Sequence, residues 1–96
     1  MSYRDIVIAD IRLAALQLLE EDPGYSYNER ILKKLLASVG HEVSSDQLRT
    51  EIAWLEEQGL ATTEEIAGML IVRLTNRGED AALGRTQVPG VARPRP

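Results

Sequence analysis

The fold of this chain is decided by residues 43–78, which read VSSDQLRTEIAWLEEQGLATTEEIAGMLIVRLTNRG. Ser44 followed three residues later by Gln47 is the pattern of a capping box, in which a serine hydroxyl accepts a hydrogen bond from the first turn of a helix. The spacing of Leu48, Ile52 and Leu55 continues that helix, and Gly59 is suited to end it. The sequence therefore predicts a helix over about 45–58.

The pattern becomes extended after Gly59. Two runs rich in β-forming residues flank Ala67-Gly68, which predicts a β-hairpin over about 60–74. Thr75 can then cap a last helix over about 76–83. This part of the chain is thus a helix, a hairpin and a short helix.

Two further helices are predicted upstream. Residues 4–21 contain no Gly or Pro and are stopped by Asp22-Pro23-Gly24. Ser26-Tyr27-Asn28-Glu29 fits a second capping box, which predicts a helix over about 27–39 that Gly40 closes. Tyr25-Ser26-Tyr27 is also compatible with a short extended stretch ahead of that helix.

The first helix is apolar on two faces. One stripe follows Val7, Ile11 and Leu18, and the opposite one is formed by Ile6, Ala9, Leu13 and Leu16. A helix of this kind is either central to a fold or shared between two chains. Because a chain of 96 residues offers little else to cover the second stripe, we expect Ile6, Ala9, Leu13 and Leu16 to form a homodimer interface, with a central position in the monomer as the alternative.

Charge is distributed unevenly. Residues 1–84 hold eight of the eleven Lys and Arg and all fifteen Asp and Glu, and the net charge of the chain is −4. Residues 85–96 are basic and rich in proline and show no helical or strand period, so we expect a domain at 1–84 followed by an extended C-terminal arm at 85–96.

The order of helix, helix, helix, hairpin and helix is typical of a winged helix-turn-helix, a mainly α fold with a β-hairpin wing. Two segments, Leu55-Glu56-Glu57-Gln58-Gly59-Leu60 and Leu74-Thr75-Asn76-Arg77-Gly78, resemble the signature of winged-helix transcriptional regulators of the MarR-, PadR- and ArsR-like groups.

A narrower resemblance covers nearly the whole chain. The chain is similar to small ArsR-like proteins of Mu-like phages and prophages in six segments: Met1-Ser2-Tyr3-Arg4-Asp5, Arg12-Leu13-Ala14, Pro23-Gly24-Tyr25, Gly40-His41-Glu42-Val43-Ser44, Ala53-Trp54-Leu55 and Val88-Pro89-Gly90-Val91-x-Arg93-Pro94. The resemblance implies a phage-encoded transcriptional regulator whose gene lies near DNA-packaging functions. The cysteine box of metal-responsive ArsR-like proteins is absent, so no metal effector is implied.

In the DNA-binding hypothesis the third helix enters the major groove and the hairpin lies along the backbone. Arg49 would contact guanine, Gln47 adenine and Thr50 a phosphate or a thymine methyl group, while Ser44 and Ser45 would offer hydroxyls and free amides to phosphate. Arg73 on the hairpin and Arg93 and Arg95 on the arm complete the candidate set. The expected partners are double-stranded DNA and a second copy of the chain.

Charge opposes this hypothesis. The third helix carries Arg49 as its only cation against Asp46, Glu51, Glu56 and Glu57, and Glu64 and Glu65 lie on the wing. Phosphate contacts supply most of the non-specific affinity for DNA, so an acidic recognition helix is unfavourable. The alternative is a winged-helix adaptor that binds a phage protein in assembly or DNA packaging and does not contact DNA.

Other classes of function are disfavoured. The chain has no Cys and one His, and it shows no catalytic triad pattern, phosphate loop or metal-ligand spacing, so we expect no cofactor, no metal and no enzyme activity. No apolar run is long enough for a membrane span, and the first residues lack a signal peptide, so we expect a cytoplasmic protein in the bacterial host without membrane contact. Trp54 is expected to pack half-buried on the wing or on the first helix.

Overall fold

A computed structural model describes residues 2–95 and arranges them as an α+β fold with four helices and a three-stranded antiparallel sheet. In chain order the elements are α1 (Tyr3–Glu21), β1 (Ser26–Asn28), α2 (Glu29–Ser38), α3 (Ser45–Glu57), β2 (Ala61–Ile66), β3 (Met69–Leu74) and α4 (Asn76–Ala82). The strand order in the sheet is β1-β3-β2. This architecture is compatible with a winged helix and is not specific to it.

The starts of α3 and α4 lie where the sequence predicts them. The Ser44 side chain accepts a hydrogen bond from the backbone amide of Gln47 at 3.0 Å, and the Thr75 side chain accepts one from the amide of Gly78 at 3.0 Å. Each hydroxyl thus satisfies one of the amides that the first turn of a helix leaves unpaired.

Gly78 explains why the last helix needs a glycine in its first turn. A Cβ atom at this position would lie 2.0 Å from the carbonyl oxygen of Leu60. Thr75 binds the same segment, since its hydroxyl donates to the Gly59 carbonyl at 2.7 Å and its amide donates to the Leu60 carbonyl at 3.2 Å. The two sequence segments around Gly59 and Thr75 therefore pack directly on each other.

The predicted start of the second helix is wrong. Ser26–Asn28 form β1, which pairs with β3, and α2 begins after Asn28, whose side chain accepts from the amide of Ile31 at 2.8 Å. The alternative of an extended stretch ahead of this helix is therefore the correct one. The capping box fails because the backbone of residues 26–28 is used by the sheet and the Glu29 carboxylate is bound elsewhere.

Helix α1 is central to the monomer. It packs against α2, α4 and β3, and it buries Ile11, Ala15 and Leu19 on one face. Leu13 and Leu16, on the other face, are only 5 % and 0 % exposed. The expectation that a second chain covers Leu13 and Leu16 is therefore wrong, because one chain already buries them.

The sequence predicts an extended C-terminal arm, but the C-terminal segment does not extend away from the domain. Residues 84–94, called here the C-terminal loop, fold back so that Pro94 approaches Gly84 and the side chains of Val88 and Val91 enter the core. The amide of Ala92 donates to the Ala9 carbonyl at 3.1 Å. Because residues 85–96 show no helical or strand period, the sequence did not predict that Val88 and Val91 are buried.

Candidate functional site

The exposed side of α3 and the hairpin meet at one ion pair. Arg49 donates from Nε and Nη2 to the two carboxylate oxygens of Glu29 at 2.8 and 2.7 Å, and Nη2 also donates to the Gly68 carbonyl at 2.9 Å. The backbone amide of Leu70 donates to Glu29 at 2.7 Å. One carboxylate and one guanidinium group therefore tie α2, α3 and the hairpin turn together.

This pair holds both groups in their charged forms. The hydrogen bond to Arg49 is the main reason that the pKa of Glu29 lies below its ordinary value, and the Leu70 amide acts in the same direction while burial opposes it. Glu29 raises the pKa of Arg49, and the negative charges of Glu65 and Asp46 add to the effect. Arg49 thus lies among three carboxylates.

The other candidate DNA contacts on α3 are mostly engaged within the chain. The Ser44 hydroxyl caps α3, the Thr50 hydroxyl donates to the Asp46 carbonyl at 3.0 Å, and Ser45 accepts from Lys33 Nζ at 3.3 Å. Gln47 is half-buried. Of this group, Ser45 is exposed and its hydroxyl lies beside a cation, Lys33.

The candidate arginines outside α3 do not join it in a single site. Arg73 is exposed on β3 and donates to the Gly24 carbonyl at 3.4 Å. Arg93 and Arg95 are exposed in the segment that folds back on α1, and Arg93 donates to the side chain of Gln87. The predicted set is therefore divided between α3, the sheet and the C-terminal segment.

Exposed carboxylates dominate the surface of α3 and β2. We call this surface the acidic face, and it comprises Asp46, Glu56, Glu57 and Glu65. Glu64 points to the opposite side of β2, because successive side chains of a strand alternate. Glu56 fixes the two elements to each other, because it accepts hydrogen bonds from the amide and the hydroxyl of Thr63 at 3.2 and 2.9 Å. Among α3 residues, the only cation is Arg49, which is already paired.

A basic surface lies on α2, next to the start of α3. Arg30 and Lys34 are exposed, and Lys33 is half-buried and reaches Ser45. Since these side chains share one helix, they form a local positive patch beside the N-terminus of α3.

A second polar cluster, formed by Arg12, Glu51 and Trp54, was not predicted from the sequence. Glu51 is 5 % exposed and accepts from Arg12 Nε at 2.7 Å, while the Arg12 guanidinium lies 3.7 Å from the centre of the Trp54 ring and donates to the Gly90 carbonyl. The burial of Glu51 could have been predicted from the sequence, because Glu51 lies between Leu48 and Leu55 on the buried stripe of α3. Trp54 is half-buried and packs against α1, as predicted, and also against the C-terminal loop.

Neither a set of metal ligands nor a membrane-spanning helix is found in residues 2–95. No three His, Asp or Glu side chains in this range come together as a set of metal ligands. None of the helices described there is both long and apolar enough to cross a membrane.

The fold and this surface define a small α+β protein with an acidic face on its third helix and hairpin. The chain is 48 % identical over 92 residues to the uncharacterized protein gp26 of Escherichia phage Mu, an alignment that covers 96 % of this chain and 95 % of gp26. It is also 41 % identical over 78 residues to an uncharacterized protein of Haemophilus influenzae, covering 80 % of this chain and 76 % of that protein. No family model and no solved structure matches the chain.

The chain therefore belongs to the family of phage Mu gp26. The expected similarity to proteins of Mu-like phages and prophages is confirmed by these relatives. Membership of a winged-helix family stays a prediction.

Proposed function

We propose that this protein is a non-enzymatic winged-helix adaptor of phage or prophage origin, which binds another phage protein through the acidic face during assembly or DNA packaging. The winged-helix assignment is supported by the element order, in which α2 and α3 are joined by a short turn and followed by the β2–β3 hairpin. It is also supported by the contact of Gly78 with Leu60, which gives a physical role to the glycine of the family signature.

The observation that carries the proposal is the engagement of Arg49. To contact a guanine, Arg49 would have to leave Glu29 and Gly68 and leave the Glu29 carboxylate, which is 14 % exposed, without its partner. Arg49 makes two hydrogen bonds to Glu29 and a third to Gly68. A bidentate contact to guanine would replace only two of these three, so the exchange yields no net gain in hydrogen bonds.

Repulsion adds to this cost. The four carboxylates of the acidic face would approach DNA phosphates, and like charges at an interface disfavour association. The same face favours a partner with a basic surface, because complementary charge raises the association rate and selects against other partners.

The first test is fluorescence anisotropy of a labelled random-sequence duplex titrated with the full-length protein at low and near-physiological salt. We expect no salt-sensitive binding through α3. Binding at low salt that the Gln47→Ala/Thr50→Ala variant loses would contradict the proposal, because both side chains lie on α3 away from the basic surface.

The second test addresses the protein partner. Tagged protein is recovered with its partners from cells in which the phage or prophage is induced. We expect Glu57→Lys/Glu65→Lys to lose a partner that the wild-type protein retains. Glu21→Lys/Glu42→Lys is the matched control, since it makes the same change in net charge at two exposed positions outside the acidic face. Equal recovery by both variants would contradict the role of the acidic face.

A second candidate function is the DNA-binding regulator, acting as a homodimer on double-stranded DNA. It is favoured by the basic surface of α2, where Lys33 reaches Ser45 beside the N-terminus of α3. Salt-sensitive duplex binding that Arg30→Ala/Lys34→Ala abolishes would support this candidate over the adaptor.

A further inference from the structure

An open groove of about 590 Å³ separates the N-terminal half of α1 from the C-terminal loop. We call it the α1 groove. Its α1 wall includes Ile6, Ile8 and Ala9, and its loop wall includes Pro89 and Val91. The groove is therefore lined largely by apolar side chains on both walls.

An apolar ridge rises beside this groove. Tyr3 is 84 % exposed and Ile6 is 55 % exposed, and residues three apart in a helix lie on the same side. Ile6 lines the groove and Tyr3 lies one turn before it on α1, so the two side chains extend the apolar surface at the edge of the groove. The same face thus carries a protruding and a recessed apolar element.

Opposite charges stand on the two walls of the groove. Asp5 lines the α1 wall and Arg93 lines the loop wall, and both are exposed. A two-fold axis running along the groove would place the α1 wall of one chain over the loop wall of the other. Asp5 of each chain would then face Arg93 of its partner, so the face is complementary to itself.

We propose that the α1 groove binds a second copy of this chain and forms a two-fold symmetric dimer. The α1 wall of each chain, which includes Ile6, packs over the loop wall of the other, and the two Asp5–Arg93 pairs set the register. This interface keeps Ile6 and Ala9 from the sequence-based expectation and replaces the buried Leu13 and Leu16 with the C-terminal loop. It is independent of the proposed function, because the acidic face does not contribute to it.

Sedimentation velocity of the full-length protein over a concentration series tests the proposal. We expect the wild-type protein to dimerise with a dissociation constant in the micromolar range, of at most ~100 µM. Ile6→Arg should weaken the dimer by about tenfold or more, since it places a charge in an apolar contact. Ile66→Arg is the matched control, because Ile66 is also 55 % exposed but lies on β2, and we expect it to leave the dimer unchanged.

A charge exchange tests the symmetry directly. Asp5→Arg and Arg93→Asp should each weaken the dimer, and the double variant should restore it, because the two pairs are then reversed rather than removed. Circular dichroism checks that each variant is folded. A wild-type protein that sediments as a monomer throughout the series, equal effects of Ile6→Arg and Ile66→Arg, or a double variant weaker than both single variants would overturn the proposal.

Discussion

Replacing Gly90 with alanine tests how the C-terminal loop is attached to the rest of the molecule. Gly90 has a φ of +94°, in the region that favours glycine. A Cβ atom there would lie 2.7 Å from Cζ2 of Trp54 and 3.0 Å from Nη1 of Arg12. The substitution therefore strains the backbone and also disturbs the stacking of Arg12 on Trp54.

The two effects have separate magnitudes. A residue with a side chain in the left-handed region costs ~1–2 kcal/mol. Overlap with packed neighbours costs a further ~1–3 kcal/mol, because Trp54 and Arg12 have to move. We therefore expect Gly90→Ala to lower the free energy of unfolding by about 2–5 kcal/mol. The loop holds Val88 and Val91 in the core. Complete release of the loop would expose both valines, and the free energy of that release is the upper limit on the loss of stability.

Urea unfolding followed by tryptophan fluorescence measures this loss directly, because Trp54 is the single tryptophan of the chain and lies at the site of the change. Gly40→Ala is the matched control. Gly40 has a φ of +97°, and a Cβ atom there would have no heavy atom within 4 Å. The difference between the two variants isolates the overlap with Trp54 and should be ~1–3 kcal/mol.

The emission of Trp54 gives a second readout. We expect a red shift in folded Gly90→Ala, as the loop moves off the indole ring, and no shift in Gly40→Ala. Equal destabilisation by the two substitutions together with unchanged Trp54 emission would refute the packing of Gly90 against Trp54.

Three further predictions concern α2 and the hairpin. The pKa of Glu29 is lowered in the folded protein, so its ionised form stabilises the fold above the ordinary pKa of 4.5, and this stability is lost as the pH falls through the lowered value. Melting temperatures measured from pH 7 to acid should therefore fall more steeply for the wild-type protein than for Glu29→Gln. Ala67, at φ +52° in the hairpin turn, should gain stability of about 1 kcal/mol on replacement by Asn, and an unchanged or lower urea midpoint would contradict this. Asn28→Ala should cost ~1 kcal/mol through loss of the α2 cap, whereas Ser26→Ala should cost much less; equal losses in urea unfolding would argue against the observed start of α2.

Local patterns were enough to locate most elements. The caps at Ser44 and Thr75 and the stripe of Leu48, Ile52 and Leu55 lie where the sequence predicts them, since each depends on residues three or four positions apart. The hairpin and its Ala67-Gly68 turn follow from the same kind of local information.

Expectations that depended on distant neighbours were less reliable. The second capping box failed because Ser26–Asn28 pair with β3, more than forty residues along the chain. The candidate role of Arg49 in DNA contact was formed without knowledge of Glu29, twenty residues before it, which binds the guanidinium. No sequence spacing identifies such partners.

The amino-acid sequence by itself determined the helices α1, α3 and α4, the hairpin, the apolar core face of α3 and the acidic charge of α3 and the wing. These properties depend on residue type and on neighbours within one or two turns. Only the tertiary structure decided that α1 is buried on both faces, that Arg49 is paired, and that Val88 and Val91 return to the core. The physical reason is that burial and ion pairing depend on which segments lie next to each other in the folded chain. Folding brings together residues that are far apart in the sequence and follow no regular spacing.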